Sequence, residues 1–326
     1  MAKVEARSAH LRVVVSWVGP TIPGALVTAT IAGQDGSRSN GSCVASVATC
    51  SFKGLTDGVE YVVTVKQKLG GTTLGTKIVR AIPHPDILTS RFSRLWFDAA
   101  DSQSLIPNIE AADRKPGTSI KRWLDRSGLG SNAEQVLIGS QPTVTTLHGH
   151  SALAFSGQAF LSLPAATLPI GAEPSSVYLV VRQQDPDPLL SCFRVALSWG
   201  SGQPNLARLV HKGCRTKLAF AETFATWDSA NAIQEWPDNR PAILRANFTA
   251  AGVDVDVNGK PSSAWKTSTA FPLATAAATT ATIGSSVWDP NGAWLGEIAE
   301  VIVLSSIPSP SQDEDIQNYL SLKWGV

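Results

Sequence analysis

The stretch Leu295-Gly-Glu-Ile-Ala-Glu-Val-Ile-Val-Leu304 constrains the fold more than any other part of the chain. It reads as a buried strand, because a short and almost continuous apolar run of this length suits a sheet core. Ser309 then stands as an N-cap, with Pro310 at the first helical position and Gln312 closing a capping box. The helix stops at Gly325. Ile316, Tyr319, Leu320 and Lys323 share one helical face, so the helix lies against a core and the chain ends in a structured element.

Elsewhere the period is two. Leu11-Arg-Val-Val-Val-Ser-Trp17 and Val27-Thr-Ala-Thr-Ile31 alternate like half-buried strands, and Ser176–Arg182 and Ala242–Phe248 read as further short strands. Val253-Asp-Val-Asp-Val257 runs into Asn258-Gly259, the strongest short-range hairpin signal. Its three Val residues face a core while Asp254 and Asp256 face the other way, as a sheet with one wet side requires. Pro and Gly punctuate the chain, and helical periodicity is rare outside the last stretch. An all-β architecture follows.

Several motifs then occur in a recognisable order. Leu95-Trp-Phe-Asp-Ala-Ala-Asp101 is followed by Ile120-Lys-Arg-Trp-Leu-Asp-Arg-Ser-Gly128, by Ala152-Leu-Ala-Phe-Ser-Gly157 with Phe160-Leu-Ser-Leu163, and by the terminal strand and helix. This series resembles the laminin G-like, concanavalin A-like jelly rolls, although Ser156 stands where family members usually carry Asp. The resemblance covers roughly residues 90 to 326 and implies a fold more than a function, since these motifs are mostly turns and core residues. Upstream, Gly54-Leu-Thr-Asp-Gly58 followed by Tyr61, Val63 and Val65 resembles a fibronectin type III domain, whose Tyr packs at the corner before a core strand.

Length agrees with two modules, since 326 residues with 43% hydrophobic content suffice for two cores. Ile82-Pro-His-Pro85 favours extended backbone and ends a strand. The expected division is therefore a fibronectin type III-like sandwich over residues 1–84, a linker over 85–93 and a jelly roll over 94–326. Residues 1–85 hold nine Lys/Arg against four Asp/Glu, and the remainder eighteen against twenty-two. Opposite mild charges favour docking or head-to-tail repetition only weakly at physiological salt. A near-neutral chain without a basic run gives no support for nucleic-acid binding.

The four cysteines form two close pairs, Cys43 with Cys50 and Cys192 with Cys214, each within reach of a single hairpin. They are either local disulfides or buried thiols acting as small apolar groups. No Cys-x-x-Cys spacing points to zinc. Met1-Ala-Lys-Val-Glu-Ala-Arg7 lacks the apolar centre of a signal peptide, and no run approaches the ~18 apolar residues of a membrane span.

Catalytic patterns are sparse. A retaining glycosidase needs two carboxylates about 5 Å apart on one face. Glu297 and Glu300 are the nearest candidates, but their odd separation on a regular strand points them apart. Asp254 and Asp256 do share a face, where solvation of the outer sheet outranks a calcium or sugar site. The Glu-x-Asp-x-x-Glu strand of concanavalin A-like glycosidases is missing, as are a Gly-x-Ser-x-Gly elbow and a His-Glu-x-x-His helix. His148 and His150 flank a loop Gly149 with no third ligand nearby. No catalytic residue and no cofactor is assigned; calcium is left open without a ligand set.

Ten tryptophans are the one compositional excess that bears on binding. Trp96, Trp123, Trp294 and Trp324 fall in the motifs above and belong to the core. Trp227-Asp228 with Asn231, Trp236 with Asp238 and Asn239, and Trp288-Asp289 with Asn291 lie in polar, Pro-containing stretches. Rings beside carboxylates and amides suit sugars, whose C–H faces stack while their hydroxyls are hydrogen-bonded. The same residues suit a subunit interface, which ranks first. Two extracellular-type modules made without an export signal fit a bacteriophage virion component of capsid or tail, released by lysis. Expected partners are other virion proteins, further copies of the chain in a homo-oligomer, and host glycans. A secreted carbohydrate-binding protein is the alternative, and a hydrolase ranks third.

Overall fold

Val13, Val15 and Trp17 alternate with polar neighbours, as do Val27, Ala29 and Ile31, and this period of two places them together in one core. The computed structural model describes residues 3–18, 22, 24–34, 42–45, 49–109, 113–184, 194–200, 207–212, 218–223, 232–235, 239–250, 252–261, 280–286 and 293–326. Its strands are β1 (Val4–Ala9), β2 (Arg12–Trp17), β3 (Leu26–Gly33), β4 (Ser42–Ala45), β5 (Thr49–Lys53), β6 (Tyr61–Leu69), β7 (Thr72–Ala81) and β8 (Ser93–Asp98). They continue with β9 (Leu105–Pro107), β10 (Ile120–Trp123), β11 (Ala133–Glu134), β12 (Thr143–Leu147), β13 (His150–Ser156), β14 (Leu161–Pro164), β15 (Ser175–Gln183) and β16 (Arg194–Gly200). The remainder are β17 (Ala207–Lys212), β18 (Leu218–Thr223), β19 (Ala232–Glu235), β20 (Ala242–Thr249), β21 (Gly252–Val257), β22 (Lys260–Pro261), β23 (Thr280–Ile283) and β24 (Leu295–Leu304), followed by helix α1 (Pro310–Trp324). The protein is all-β with antiparallel sheets and this one α-helix among the described residues.

The chain divides into two compact units, Met1–Asp86 with Pro310–Lys323, and Ile87–Ser309 with Trp324–Val326. Residues 85–93 include a 3-10 turn, Asp86–Thr89, whose Ile87 and Leu88 are buried. In the first unit, sheets β1-β2-β5 and β4-β3-β6-β7 enclose a core of Val13, Val15, Trp17, Val27, Ile31, Phe52, Tyr61, Val63 and Val65. Each such Val contributes about 1.5–3 kcal/mol by leaving water. The Tyr61 hydroxyl accepts from the Thr56 backbone N–H at 3.0 Å, which satisfies its one buried polar atom. Cys50 on β5 is buried and disulfide-bonded. Cys43 lies on β4 in the other sheet, so these two residues do not share the hairpin expected for them. Its side chain, Cys192 and Cys214 fall outside the described residues.

In the second unit a nine-stranded sheet, β19-β18-β17-β16-β23-β14-β11-β10-β9, faces an eight-stranded one, β12-β13-β24-β15-β20-β21-β22, with β8 beside β24. The core between them joins Trp123, Leu161, Leu163, Leu197, Trp199 and Ile283 to Leu95, Phe97, Leu153, Val177, Leu179, Val181, Ile298, Val301 and Val303. Phe97 meets Trp123 at 5.1 Å between ring centroids, and Trp199 meets Phe248 edge-on at 5.9 Å. β24 is central: β15 pairs along it, while β13 covers its first half and β8 its second. The Asn258-Gly259 turn forms as its sequence requires, with φ of 55° and 71°.

Candidate functional site

Register decides where the acids of the second unit point. Between Val180 and Val181 of β15 the partner on β24 jumps from Glu300 to Ile298, leaving Ala299 as an extra residue. That bulge reverses the alternation. Ile298, Val301 and Val303 all enter the core, and Glu297 and Glu300 lie together on the opposite face. The expectation that these two acids point apart is therefore corrected.

Sharing a face does not make them a catalytic pair, because each is engaged. Glu297, 3% exposed, accepts from Arg182 Nε at 2.8 Å and Nη2 at 2.6 Å, and from Gln184 Nε2 at 2.8 Å. The fork-to-fork geometry is a strong form of ion pair, and the hydrogen bond that Arg182 donates to Glu297 raises the Arg182 pKa above its ordinary value. Glu300 is fully buried; its Oε1 accepts from Trp96 Nε1 at 2.8 Å and its Oε2 from Trp324 Nε1 at 2.7 Å. The Arg126 guanidinium stacks 4.3 Å from the Trp96 ring centroid and donates to Asp98 at 2.6 Å.

Asp254 and Asp256 share a face as expected, but only Asp254 is exposed. Asp256 is 2% exposed and ion-paired with Arg245, so it does not solvate the outer sheet; Asp254 accepts from Asn247 Nδ2 at 3.2 Å. In the Trp-x-Asp-x-Ser-Gly turn, Asp125 accepts from the backbone N–H of Trp96, Ser127 and Ser131 and from the Ser127 hydroxyl. That carboxylate shapes a loop. His148 and Gly149 form the two-residue turn between β12 and β13, both with positive φ. The His150 ring stands edge-on to Trp324 at 5.7 Å. Among the described residues no group of three or more His, Cys, Asp and Glu is placed to hold a metal ion, and no helix is long and apolar enough to cross a membrane.

Trp96, Trp123, Trp294 and Trp324 are all buried, as their motifs imply. Of the aromatic and polar candidates, Asn239 alone is described: it is exposed, in a turn, with φ of 52°. Trp227, Asp228, Asn231, Trp236, Asp238, Trp288, Asp289 and Asn291 lie outside the described residues.

One end of the second unit gathers the end of β15, the start of β16, the end of β23 and the start of β24. Gly157 N–H donates to Trp294 O at 2.9 Å, Trp294 N–H to Gly284 O at 2.8 Å, Gln184 N–H to Leu295 O at 3.1 Å and Arg194 Nη1 to Ala293 O at 3.1 Å. Gln183 ends the inward-facing series Val177, Leu179, Val181 and is 6% exposed. Sequence reasoning passed over it, since a lone Gln at a strand end carries no motif.

No family model and no curated protein sequence matches the chain. Among solved structures it is similar to domain 4 of AbnA, a GH43 extracellular arabinanase from Geobacillus stearothermophilus, in complex with arabinotriose, at 16% identity and a TM-score of 0.47, covering 69% of this chain and 98% of that one. The binding domain of botulinum neurotoxin serotype D aligns at 13% identity and a TM-score of 0.46, over 69% of this chain and 51% of that one. The Ruminococcus gnavus IT-sialidase CBM40 aligns at 12% identity and a TM-score of 0.35, over 45% of this chain and 82% of that one. At these values neither ligand nor activity carries across.

Proposed function

We propose that the chain is a non-enzymatic attachment protein of a bacteriophage particle, a fibronectin type III-like module joined to a laminin G-like jelly roll. One module docks on other virion proteins of capsid or tail, and the other engages further copies or host glycans. The observation that carries this reading is the state of the acids: Glu297, Glu300, Asp98, Asp125 and Asp256 are each engaged by structural partners, which favours a rigid binding surface over acid–base chemistry. The three-plus-four strand arrangement of the first unit and the Tyr61 hydroxyl bond at its corner support the fibronectin-like assignment.

Mass spectrometry of purified phage particles tests the virion location, and absence of the chain from particles overturns it. The disulfide at Cys50 favours a second reading, a secreted carbohydrate-binding protein, because such bonds persist in oxidising surroundings. A glycan array with the full chain measures the binding common to both.

A further inference from the structure

We infer that the outer face of sheet β1-β2-β5 is a platform for an acidic saccharide chain, on which Arg7, Arg12 and Lys53 hold carboxylate or phosphate groups of the sugar. The inference rests on the glycan-contact part of the proposed function and adds the place and the ligand class.

Register brings the three cations together. Val13, Val15, Cys50 and Phe52 are buried in the first core, so their alternate neighbours on β2 and β5 face outward. Arg12 stands directly opposite Lys53 on β5 and Ala9 on β1, and Arg7 stands opposite Val14, one step along the same face. Opposed side chains of such pairs have Cβ atoms about 4.5–5.5 Å apart and diagonal ones about 7–8 Å, which describes Arg12 with Lys53 and Arg12 with Arg7 in turn. All three cations are exposed.

Like charges directly opposite each other are unfavourable for a sheet, and nothing on this face offsets them. Glu5, the one acid on the face, is paired with Lys3 at 2.5 Å. Asp57, beside the turn between β1 and β2, accepts from Leu11 N–H and contacts His10. Among the described residues no carboxylate ion-pairs with Arg7, Arg12 or Lys53. A bound anion supplies the missing counter-charge.

The shape of the face says which anion. Ala9, Val14 and Ser51 lie between the cations and are short, so the floor is flat, and the exposed Ser51 adds a hydroxyl. Each guanidinium presents a planar fork that matches a carboxylate or phosphate, and Lys53 adds a point charge. The cations span three adjacent strands, about 9–10 Å at the usual strand spacing, which suits acidic groups repeated along a sugar chain better than one small ion. Nine Lys/Arg against four Asp/Glu over residues 1–85 add an attractive field that salt screens.

The test measures binding of the full chain to oligogalacturonate and to phosphorylated mannan, with unphosphorylated mannan as the uncharged control and duplex DNA as a second polyanion. We expect both acidic glycans to bind, and affinity to fall about fivefold or more between 50 and 200 mM salt. Arg12→Gln and Lys53→Gln should each weaken binding about tenfold. Relieving the like-charge pair leaves their thermal midpoints unchanged or raises them by about 1–4 °C, whereas a structural role would lower them. Lys66→Gln removes the same charge from the outer face of the other sheet and should leave binding within about twofold. An equal loss with Lys66→Gln shows net charge alone and overturns the platform. So does failure of both acidic glycans to bind, or tighter binding of DNA that the same variants abolish. Binding of uncharged glycans that all variants retain removes this site but keeps the attachment reading. Binding lost in the Arg12 and Lys53 variants while particles lack the chain keeps the site and removes the virion location.

Discussion

Trp324 donates its indole N–H to Oε2 of Glu300 at 2.7 Å, completing from the far end of the chain a carboxylate whose Oε1 already accepts from Trp96 at 2.8 Å. All three side chains are buried. A charge with no water around it is tolerated only when hydrogen bonds replace hydration.

Replacing Glu300 with Leu should therefore strand two indole donors at once. The expected loss is about 2–6 kcal/mol, from roughly 1–3 for each buried unsatisfied donor. Glu300→Gln keeps one acceptor and should cost about half as much. Urea unfolding of the full chain measures both; a loss under about 0.5 kcal/mol for Glu300→Leu would show that the indoles find other partners.

The Gly54-Leu-Thr-Asp-Gly58 turn allows a paired comparison. Both glycines have positive φ, 67° at Gly54 and 85° at Gly58, but nothing lies within 4 Å of a Cβ on Gly54, while one on Gly58 would overlap the carbonyl oxygen of Tyr319. Gly54→Ala should cost about 1–2 kcal/mol for the left-handed backbone alone. Gly58→Ala carries that strain plus displacement of a backbone atom, and should cost at least about 1–2 kcal/mol more. Equal midpoints for the two variants would contradict the close approach to α1.

Leu11 has φ of 51° in the turn between β1 and β2, where a side chain beyond Cβ gains nothing by it. The strain is held by Asp57, whose Oδ1 accepts from Leu11 N–H at 2.9 Å and whose Oδ2 contacts His10 Nδ1 at 2.5 Å. Leu11→Asn should stabilise the chain by about 1 kcal/mol, since Asn tolerates this region and Leu11 is 42% exposed. Asp57→Ala should destabilise by about 1–3 kcal/mol through the unmet N–H. Thermal midpoints read both, and a drop with Leu11→Asn would mean that the leucine side chain packs more than its exposure implies.

How far the sequence revealed this molecule differs between its parts. α1 begins at Pro310 and ends before Gly325, and Ile316, Tyr319, Leu320 and Lys323 are all buried, because caps and helical periodicity are local signals. Val255 and Val257 enter the core for the same reason. The shared face of Glu297 and Glu300 was hidden, since a bulge depends on the register that β15 imposes from more than a hundred residues away. Gln183 was hidden too: its Nε2 is buried without a hydrogen-bond partner, a property of its surroundings that no pattern in the chain encodes.

Cys50 should contribute through its cross-link. Breaking the bond by Cys50→Ala or by reductant should lower stability by about 2–4 kcal/mol, mostly by enlarging the unfolded ensemble. Urea midpoints with and without reductant measure the effect, and non-reducing peptide mapping identifies the partner half-cystine. Identical midpoints would show that the bond adds nothing to the folded state.

The Arg182–Glu297 pair predicts both a magnitude and a pH dependence. Arg182→Met leaves Glu297, 3% exposed, with Gln184 as its remaining side-chain donor among the bonds described above, and breaking a buried pair from one side costs about 3–5 kcal/mol. The partly exposed guanidinium places this variant at the low end of that range. The folded-state pKa of Arg182 is raised above its ordinary value, chiefly by its hydrogen bond to Glu297. A raised pKa gives stability that is complete below the unfolded value and is lost only as pH climbs through the folded one. The arginine's contribution should therefore stay constant between about pH 7 and 10. Urea titrations of wild type and Arg182→Met at several pH values measure the difference, and a penalty that shrinks steadily across that window would contradict the pairing.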